Sequence, residues 1–473
     1  MLGVPARGMR RDLGLGEVAN DIAKLNLLGA EVEVHDPTVP ASTTVVRVRA
    51  HARIRPASIL RHLSSARGGA IVRDGATTVV AGEPAVVRAA SGEAAFGVLR
   101  EIDAGGFWTG FCAYDLGRTI ERVNPSTVDD LDLPDVAFAR HDARLVLHDG
   151  GELEFIGDRA GRLRLEAAVH AAATEDHPPR APVLESWTSS LDRVDHAAAC
   201  AHVIDLLHAG ECYQVNVTRR LTSAVAPDPI ALYEALTRIN PAPHAALLVL
   251  EAAQPGLAIV SASPELFLAI EPGDARGNRS VETRPIKGTA ADPATLVASA
   301  KDQAENVMIV DLARNDLGRV CEFGSMNAPA LFEVEAHPGL FHLVSTVTGR
   351  LRADVDLAEV VRATFPPASV TGAPKPRVMQ AIEDLEPVRR GVYCGAIGWV
   401  DSDRGRAELA VAIRTFTIAG GQTHLGVGGG IVADSQPDDE WRETELKAAR
   451  LLAAAGSAPD RHDEHVTVGG VTA

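Results

Sequence analysis

The sequence predicts an α+β fold rich in antiparallel strands, and three observations carry that prediction. Short strand-like runs recur at close spacing, with turn residues between several of them. Helix-like stretches interrupt them without the regular strand–helix alternation that a parallel sheet needs. No internal repeat of roughly 20 to 50 residues imposes a solenoid or propeller instead. The 473 residues supply core for about two to four domains' length.

The N-terminal residues 1–43 hold one helix-like piece, GEVANDIAKLNLLGAEVEV, and the turn-rich HDPTVPAST, and are expected to be an extension outside the fold. The strand-like TTVVRVRAHARI opens the fold, and 44–175 reads as its N-terminal half. Within it, the runs on either side of DGGE are expected to form a hairpin. The breaker-rich ATEDHPPRAPVLESWTSS marks a boundary near 175–188. Beyond it, HAAACAHVIDLLHAGECYQVNVTRR reads as a helix running into a strand, and AALLVLEAAQPGLAIVSASPELFLAI as a β-pair with a polar tip. Residues 456–473 have no periodicity and are expected to be a disordered tail.

Composition removes several function classes. The formal net charge is −17, with acidic residues scattered along the chain, which argues against a nucleic-acid surface. The five cysteines Cys112, Cys200, Cys212, Cys321 and Cys394 include no CxxC pair, as expected of reduced thiols in a cytoplasmic enzyme. No apolar run reaches the roughly 18 residues of a membrane helix. The start, MLGVPARGMRRDLGLG, lacks the continuous apolar core of a secretory signal. A cytoplasmic location is expected.

Several constellations could carry chemistry. In VETRPIKGTA a single lysine, Lys287, stands between Pro-Ile and Gly288-Thr, residues that fix backbone geometry. It is a solvated loop lysine or an aimed one. Asp302 and Glu305 are three apart in a helical stretch, as are Glu440 and Glu443 in another, so each pair shares a helix face. Such pairs are solvated faces when alone. Two together make an oxygen site for a hard cation such as Mg²⁺ possible. The glycines Gly428, Gly429 and Gly430 read as a turn whose N–H groups could cradle an anion, or as a plain β-turn. A second turn, TGAP, brings the hydroxyls of Ser369 and Thr371. Arg414, in AVAIRTFTI, reads as an arginine in a strand interior, which requires an anionic partner from substrate or protein. His342, in GLFHLVSTVTG, reads as a buried histidine.

These pieces are not independent. YQVN, SASPELFL, RPIKGTA, KDQAENVMIVDLARNDLGRV, HLVSTVTG, SVTGAPKPRVMQAIEDLEPVRRGVYCGAIGWV, AIRT and GGGIVADSQPDDEWRETELKA occur in this order. Together they resemble the chorismate-utilising enzymes: the anthranilate and aminodeoxychorismate synthase components I and the isochorismate and salicylate synthases. The resemblance is dense over 190–455 and looser from about residue 45. It implies largely antiparallel sheets forming a sandwich flanked by helices, with 188–455 as the chorismate-binding catalytic region.

Two positions separate the branches. The water-using synthases carry a lysine base where this chain has Gln214, and a neutral amide cannot be a general base at neutral pH. Anthranilate synthases usually carry alanine where this chain has Lys287, whereas the aminodeoxychorismate branch carries lysine. The resemblance therefore implies amination of chorismate with Lys287 as covalent nucleophile, Glu265 as the acid that protonates the leaving hydroxyl, and His342 in support. It further implies Mg²⁺ on Glu305 and Glu443, with Asp302 and Glu440 in outer roles. Gln214, Gly288, Ser369, Thr371, Tyr393, Arg414, Gly428, Gly429, Gly430 and Lys447 would hold substrate. No cysteine lies in a glutaminase elbow, so ammonia is expected from a separate glutamine amidotransferase subunit, component II, or from solution. Anthranilate-type or aminodeoxyisochorismate-type amination at C2, and a non-catalytic chorismate-binding relative, are the alternatives. In FPPASVTG, Pro367 and Ala368 stand where glycines are common in the family.

Overall fold

The structure is a computed structural model that describes residues 33–34, 43–49, 54–63, 68–175, 182–184, 186–273, 278–290, 292–337 and 340–457. Two antiparallel sheets, one of 13 strands and one of 10, dominate the described residues. Strands from before residue 175 and after 188 share both of them. In the larger sheet Gly69–Asp74 pairs with His244–Val249, and in the smaller Phe107–Cys112 pairs with Ala396–Asp401. The expected hairpin is present, as Arg144–His148 paired with Glu152–Gly157. The expected helix-into-strand is Arg193–His208 followed by Gln214–Ser223. Of the helix-like stretch expected within 1–43, only Glu33–Val34 is described, as a strand pairing with Val46 and Arg47. The expected tail lies outside the described residues except for Gly456 and Ser457.

The two-residue alternation along the strands sorts side chains into layers. Ala70 and Val72 of the larger sheet meet Phe111, Ile397 and Trp399 of the smaller, forming the sandwich core. Ile71, between them in sequence, points the other way into a second core, with Ile59, Leu165, Leu232 and Leu451 from covering helices. On the smaller sheet's outer side, Leu99, Val310, Val360 and Ile382 from four helices pack with Val281, Val347 and Leu409. Sheet on sheet, with helices outside both, is how a chain of this length buries one face of every strand and helix.

Two crossings of the chain between sheets position Glu265 and Arg414. His244–Val249 and Ala258–Ser263 lie in the larger sheet, and the chain then passes through Pro264 and Glu265 to Leu266–Glu271 in the smaller. The return crossing runs from Arg406–Val411 through Arg414 to Thr415–Ala419. The crossings bind each other: Ser263 Oγ donates to Val411 O at 2.6 Å, Val411 N to Glu265 O at 3.0 Å, and Ala262 N to Arg414 O at 3.0 Å. Arg414 thus sits at a junction, with φ of 51°, and the strand interior expected from its apolar neighbours is absent. Apolar flanks on both sides make the junction look like one continuous strand.

Away from the crossings the sheets are pinned by a buried ion pair, Arg144 of the larger with Asp401 of the smaller. The Arg144 guanidinium also lies 4.3 Å from the Phe107 ring centroid. Removing one partner leaves an uncompensated charge in the core. Asp401→Ala is expected to lower unfolding free energy by about 3–5 kcal/mol, read as a fall in the urea midpoint.

Candidate active site

The lysine of VETRPIKGTA lies on the strand Ile286–Ala290, paired with Leu340–Arg350. The register slips between Lys287 and Thr289, so Gly288 forms a bulge with φ of 76°. A side chain there would need this left-handed conformation, and its Cβ would fall 3.0 Å from the Asp302 carboxyl carbon. Glycine is required, and the bulge re-aims its neighbour. Lys287 is half-buried, and its Nζ donates to Ser369 O at 3.3 Å. Burial lowers its pKa from 10.5, against the opposing pull of Glu305 and Glu265.

Glu265, at the crossing between sheets, is buried. Burial pushes its carboxyl up to about 7 despite hydrogen bonds from the Ser369 hydroxyl and the Ile286 N–H and the nearby Lys287. A buried carboxyl and a half-buried amine, each moved toward neutrality, thus flank Ser369. Such a pair can supply an acid and a nucleophile together near neutral pH. Arg414 lies close enough to Glu265 to feel its charge, and burial lowers the guanidinium's pKa, with Arg450 adding to the effect.

The two acidic pairs lie on helices as expected. Ala300–Gly318, capped by Ser299 Oγ on Asp302 N at 3.2 Å, carries Asp302 and Glu305. Pro437–Ala454 carries Glu440, Glu443 and Lys447. Burial raises Glu305, and Asp302 and Glu443 add to it against Lys287 and Lys301. Burial also raises Glu440, which accepts from Ser435 Oγ at 2.6 Å and is raised further by Glu443. Burial acts on Glu443 in the same sense, but Lys447 at 2.6 Å, with Lys301 and Lys287, holds it below its ordinary value. Carboxylates from two helices therefore sense one another across the site. An all-oxygen set of this kind suits a hard cation. Among the described residues, no three potential ligands are gathered closely enough to hold an ion by themselves.

Gly428, Gly429 and Gly430 are not a turn. They lie inside the strand Gln422–Ile431, opposite Thr218, Val217 and Asn216. The neighbouring strand Thr415–Ala419 pairs with it only from Gln422 to Leu425, so past that point the glycines have one sheet partner. Their lack of side chains is a matter of space. A Cβ on Gly430 would fall 1.9 Å from Gln214 Nε2, and one on Gly429 would lie 3.2 Å from Glu440 and 3.5 Å from Glu443. Gly426, in the same strand, lies beneath the Tyr393 ring. Lys447 Nζ donates to Gly428 O at 2.9 Å. The strand thus gathers Gln214, Tyr393, both glutamates and Lys447 along one short stretch. His342 is buried on Leu340–Arg350, its backbone paired with Thr289, beside the bulge. The Thr371 hydroxyl is engaged in its own loop, donating to Pro367 O at 2.8 Å.

Other residues, within the quoted motifs but given no role by the sequence, fix these positions. Asn306, fully buried, accepts from Ser345 Oγ at 2.5 Å and reaches Leu343 O at 3.4 Å, locking the Ala300–Gly318 helix to the His342 strand. Asp316, lower on that helix, holds buried Lys375 at 2.7 Å, and Lys375 also donates to Thr364 O at 2.6 Å. Arg390 and Glu386 form a second buried pair at 2.6 Å. One signal is available: Asn306, Ile309, Val310, Asp316 and Leu317 share the buried side of the helix, so two polar residues sit in its core stripe.

A chorismate binding enzyme family model matches residues 61–453. The aminodeoxychorismate synthase component 1 of Klebsiella aerogenes is 40% identical over 354 residues, covering 72% of this chain and 76% of that protein. The same component from Escherichia coli K12 is 39% identical, with 72% and 75% covered. Anthranilate synthase component I of Streptococcus pneumoniae TIGR4 superposes with a TM-score of 0.70 at 26% identity, covering 80% of this chain and 92% of that one.

The perturbed acid has a consequence for stability. With Glu265 at about 7 when folded, against an ordinary 4.5, the folded chain binds the extra proton between those values. Its contribution to stability is therefore full below pH 4.5 and falls as pH rises through about 7. Glu265→Gln, which stays neutral, is expected to flatten that part of the Tm-against-pH curve relative to the parent.

Proposed function

The chain belongs to the chorismate binding enzymes, and from that membership we propose how its residues aminate chorismate. The product is 4-amino-4-deoxychorismate, the precursor of 4-aminobenzoate in folate synthesis, as the aminodeoxychorismate synthase relatives support. The observation that carries the mechanism is half-buried Lys287 beside buried Glu265, both biased toward their neutral forms.

Neutral Lys287 attacks C2 of the ring. As the C2–N bond forms, both conjugated ring double bonds shift, C1=C2 to C1=C6 and C5=C6 to C4=C5, and the C4–O bond breaks, with the Glu265 proton passing to the departing oxygen to give water. Ammonia then adds at C4, the C2–N bond breaks, and lysine leaves with its electron pair. The proton shed by the new C4 ammonium returns Glu265 to its acid form, so protons balance over the cycle. Arg414, Tyr393 and Lys447, with the amides of Gly428, Gly429 and Gly430, bind the carboxylates of the substrate, while Gln214, Gly288 and Thr371 shape the pocket around the ring. His342 supports the Lys287 strand from the strand paired with it.

Glu305 and Glu443 would hold Mg²⁺ directly, with Asp302 and Glu440 outside them. Bound there, the ion would neutralise the ring carboxylate and draw electron density from the ring. Ammonia comes from a glutamine amidotransferase subunit or from solution. In keeping with this, all five cysteines are buried free thiols, and burial pushes Cys112, Cys200 and Cys394 up to about 12. None suits a glutaminase nucleophile.

The purified chain is expected to turn over chorismate with Mg²⁺ and ammonium salt but not with glutamine. Glu443→Ala or chelation of the metal should abolish product formation, monitored by chromatography and mass. Product aminated at C2 would instead place the enzyme in the anthranilate-type class.

The lysine itself is tested by omitting ammonia. Chorismate and Mg²⁺ alone should load the protein with one adduct, of mass chorismate minus water, mapping to the peptide that contains Lys287. Lys287→Arg should not load, because a guanidinium stays protonated. An active Lys287→Arg enzyme with no adduct in the parent would remove the nucleophile assignment.

A further inference from the structure

We propose that Ser369 is a positioning residue that fixes the acid and the nucleophile relative to each other, through two different atoms of one residue. The inference rests on the amination reaction proposed for this site. The Ser369 hydroxyl donates to the Glu265 carboxylate, and the Ser369 carbonyl accepts from Lys287 Nζ at 3.3 Å. Ser369 and Glu265 also line the same cavity beside the helix Ala300–Gly318, and both are buried. Both polar atoms of Ser369 are thus engaged by protein, which leaves it poorly placed for the substrate-binding role that the sequence suggests.

The segment carrying Ser369 is held firmly enough to act as a reference. It is the short 3₁₀ turn Ala368–Val370. On one side Lys375 grips Thr364 O at 2.6 Å and Asp316 at 2.7 Å. On the other, Arg390 donates to Val370 O at 3.1 Å, and Asn216 N donates to Thr371 O at 2.9 Å. Thr371 Oγ1 closes the turn on Pro367 O at 2.8 Å. Neither the hydroxyl nor the carbonyl can move without breaking a buried contact.

The two bonds have distinct consequences. A hydroxyl donated to a carboxylate favours the ionised form and so opposes burial. A carbonyl that takes one N–H of the amine turns the lone pair of neutral Lys287 away from itself, toward the ring. The titratable and charged groups around Glu265 are Lys287 on its strand, His244 on the strand His244–Val249, Arg414 at the return crossing, and Asp316 across the shared cavity.

Infrared difference titration reads Glu265 directly, through the protonated-carboxyl band that Glu265→Gln removes. The parent should titrate at about 7. In Ser369→Ala the midpoint should rise by about one pH unit, as loss of a hydrogen bond to a charged group implies. Single-turnover loading of Lys287 should fall by about tenfold to a hundredfold through lost alignment, with the chorismate KM within about twofold of the parent. Ser369→Thr, which restores the hydroxyl, should return both readings toward the parent. Should the alanine chain not fold, Ser369→Cys provides the same readings with a weak donor of similar size. An unmoved Glu265 midpoint, or a raised chorismate KM as the sole defect, would overturn the assignment. A parent chain that never loads on Lys287 counts against the reaction; a parent that loads while the Ser369→Ala midpoint stays put counts against Ser369 alone.

Discussion

The site depends first on one buried ion pair, Arg390 with Glu386. Both are almost fully buried, and charges in such a place are tolerated only when they are paired and hydrogen-bonded. Here four of the five guanidinium N–H groups have protein acceptors. Arg390 binds Glu386 through Nε at 2.9 Å and a terminal nitrogen at 2.6 Å, and donates to Asn216 O at 2.6 Å and Val370 O at 3.1 Å. Glu386 in turn accepts from the N–H and hydroxyl of Thr218 at 2.9 and 3.0 Å. The fork thereby ties the strand beside the three glycines to the turn that carries Ser369. Its partners are fixed backbone atoms, so it transmits position where a flexible surface pair would transmit little.

Around that fixed frame, electrostatics are arranged locally against the global charge. The chain as a whole is strongly acidic, with a formal net charge of −17. Within the site, however, Lys287, Lys301 and Lys447 all lie close enough to act on Glu443. A dicarboxylate held there would meet this local set, and the net charge has little bearing at contact distance. Burial makes Glu265 and Lys287 resist ionisation, against the pull of the opposite charges around them. Glu265 is buried and Lys287 half-buried, and each supplies only part of the counter-charge the other lacks.

What the sequence discloses and what it hides divide along a physical line. Lys287, Glu265 and the two acidic pairs are legible because their motifs are local and the helical spacing of the acids is a local property. Gly428, Gly429 and Gly430 read as a turn because glycine is commonest there. Their real cause is the bulk of Gln214, Glu440 and Glu443, which arrive from distant segments. Arg414 misleads for the opposite reason, since apolar flanks suggest one strand where the chain changes sheets. The pairs Asn306–Ser345 and Asp316–Lys375 exist only once the helix Ala300–Gly318 is packed against a strand and a second helix. Spacing along the chain holds no trace of such pairings, although a polar residue in a core stripe hints at them.

The interleaving of early and late strands also bears on how the protein is made. Phe107–Cys112 pairs on one side with Val136–Arg140, but its other neighbour, Ala396–Asp401, leaves the ribosome nearly 300 residues later. At about 5–20 residues per second that is a wait of roughly 15 to 60 s. Gly69–Asp74 waits similarly, though less long, for His244–Val249. During that interval the nascent chain presents open, apolar sheet edges, the kind of surface that recruits other strands. Holding chaperones and the pace of translation therefore bear on the yield of active enzyme, independently of how stable the finished sandwich is.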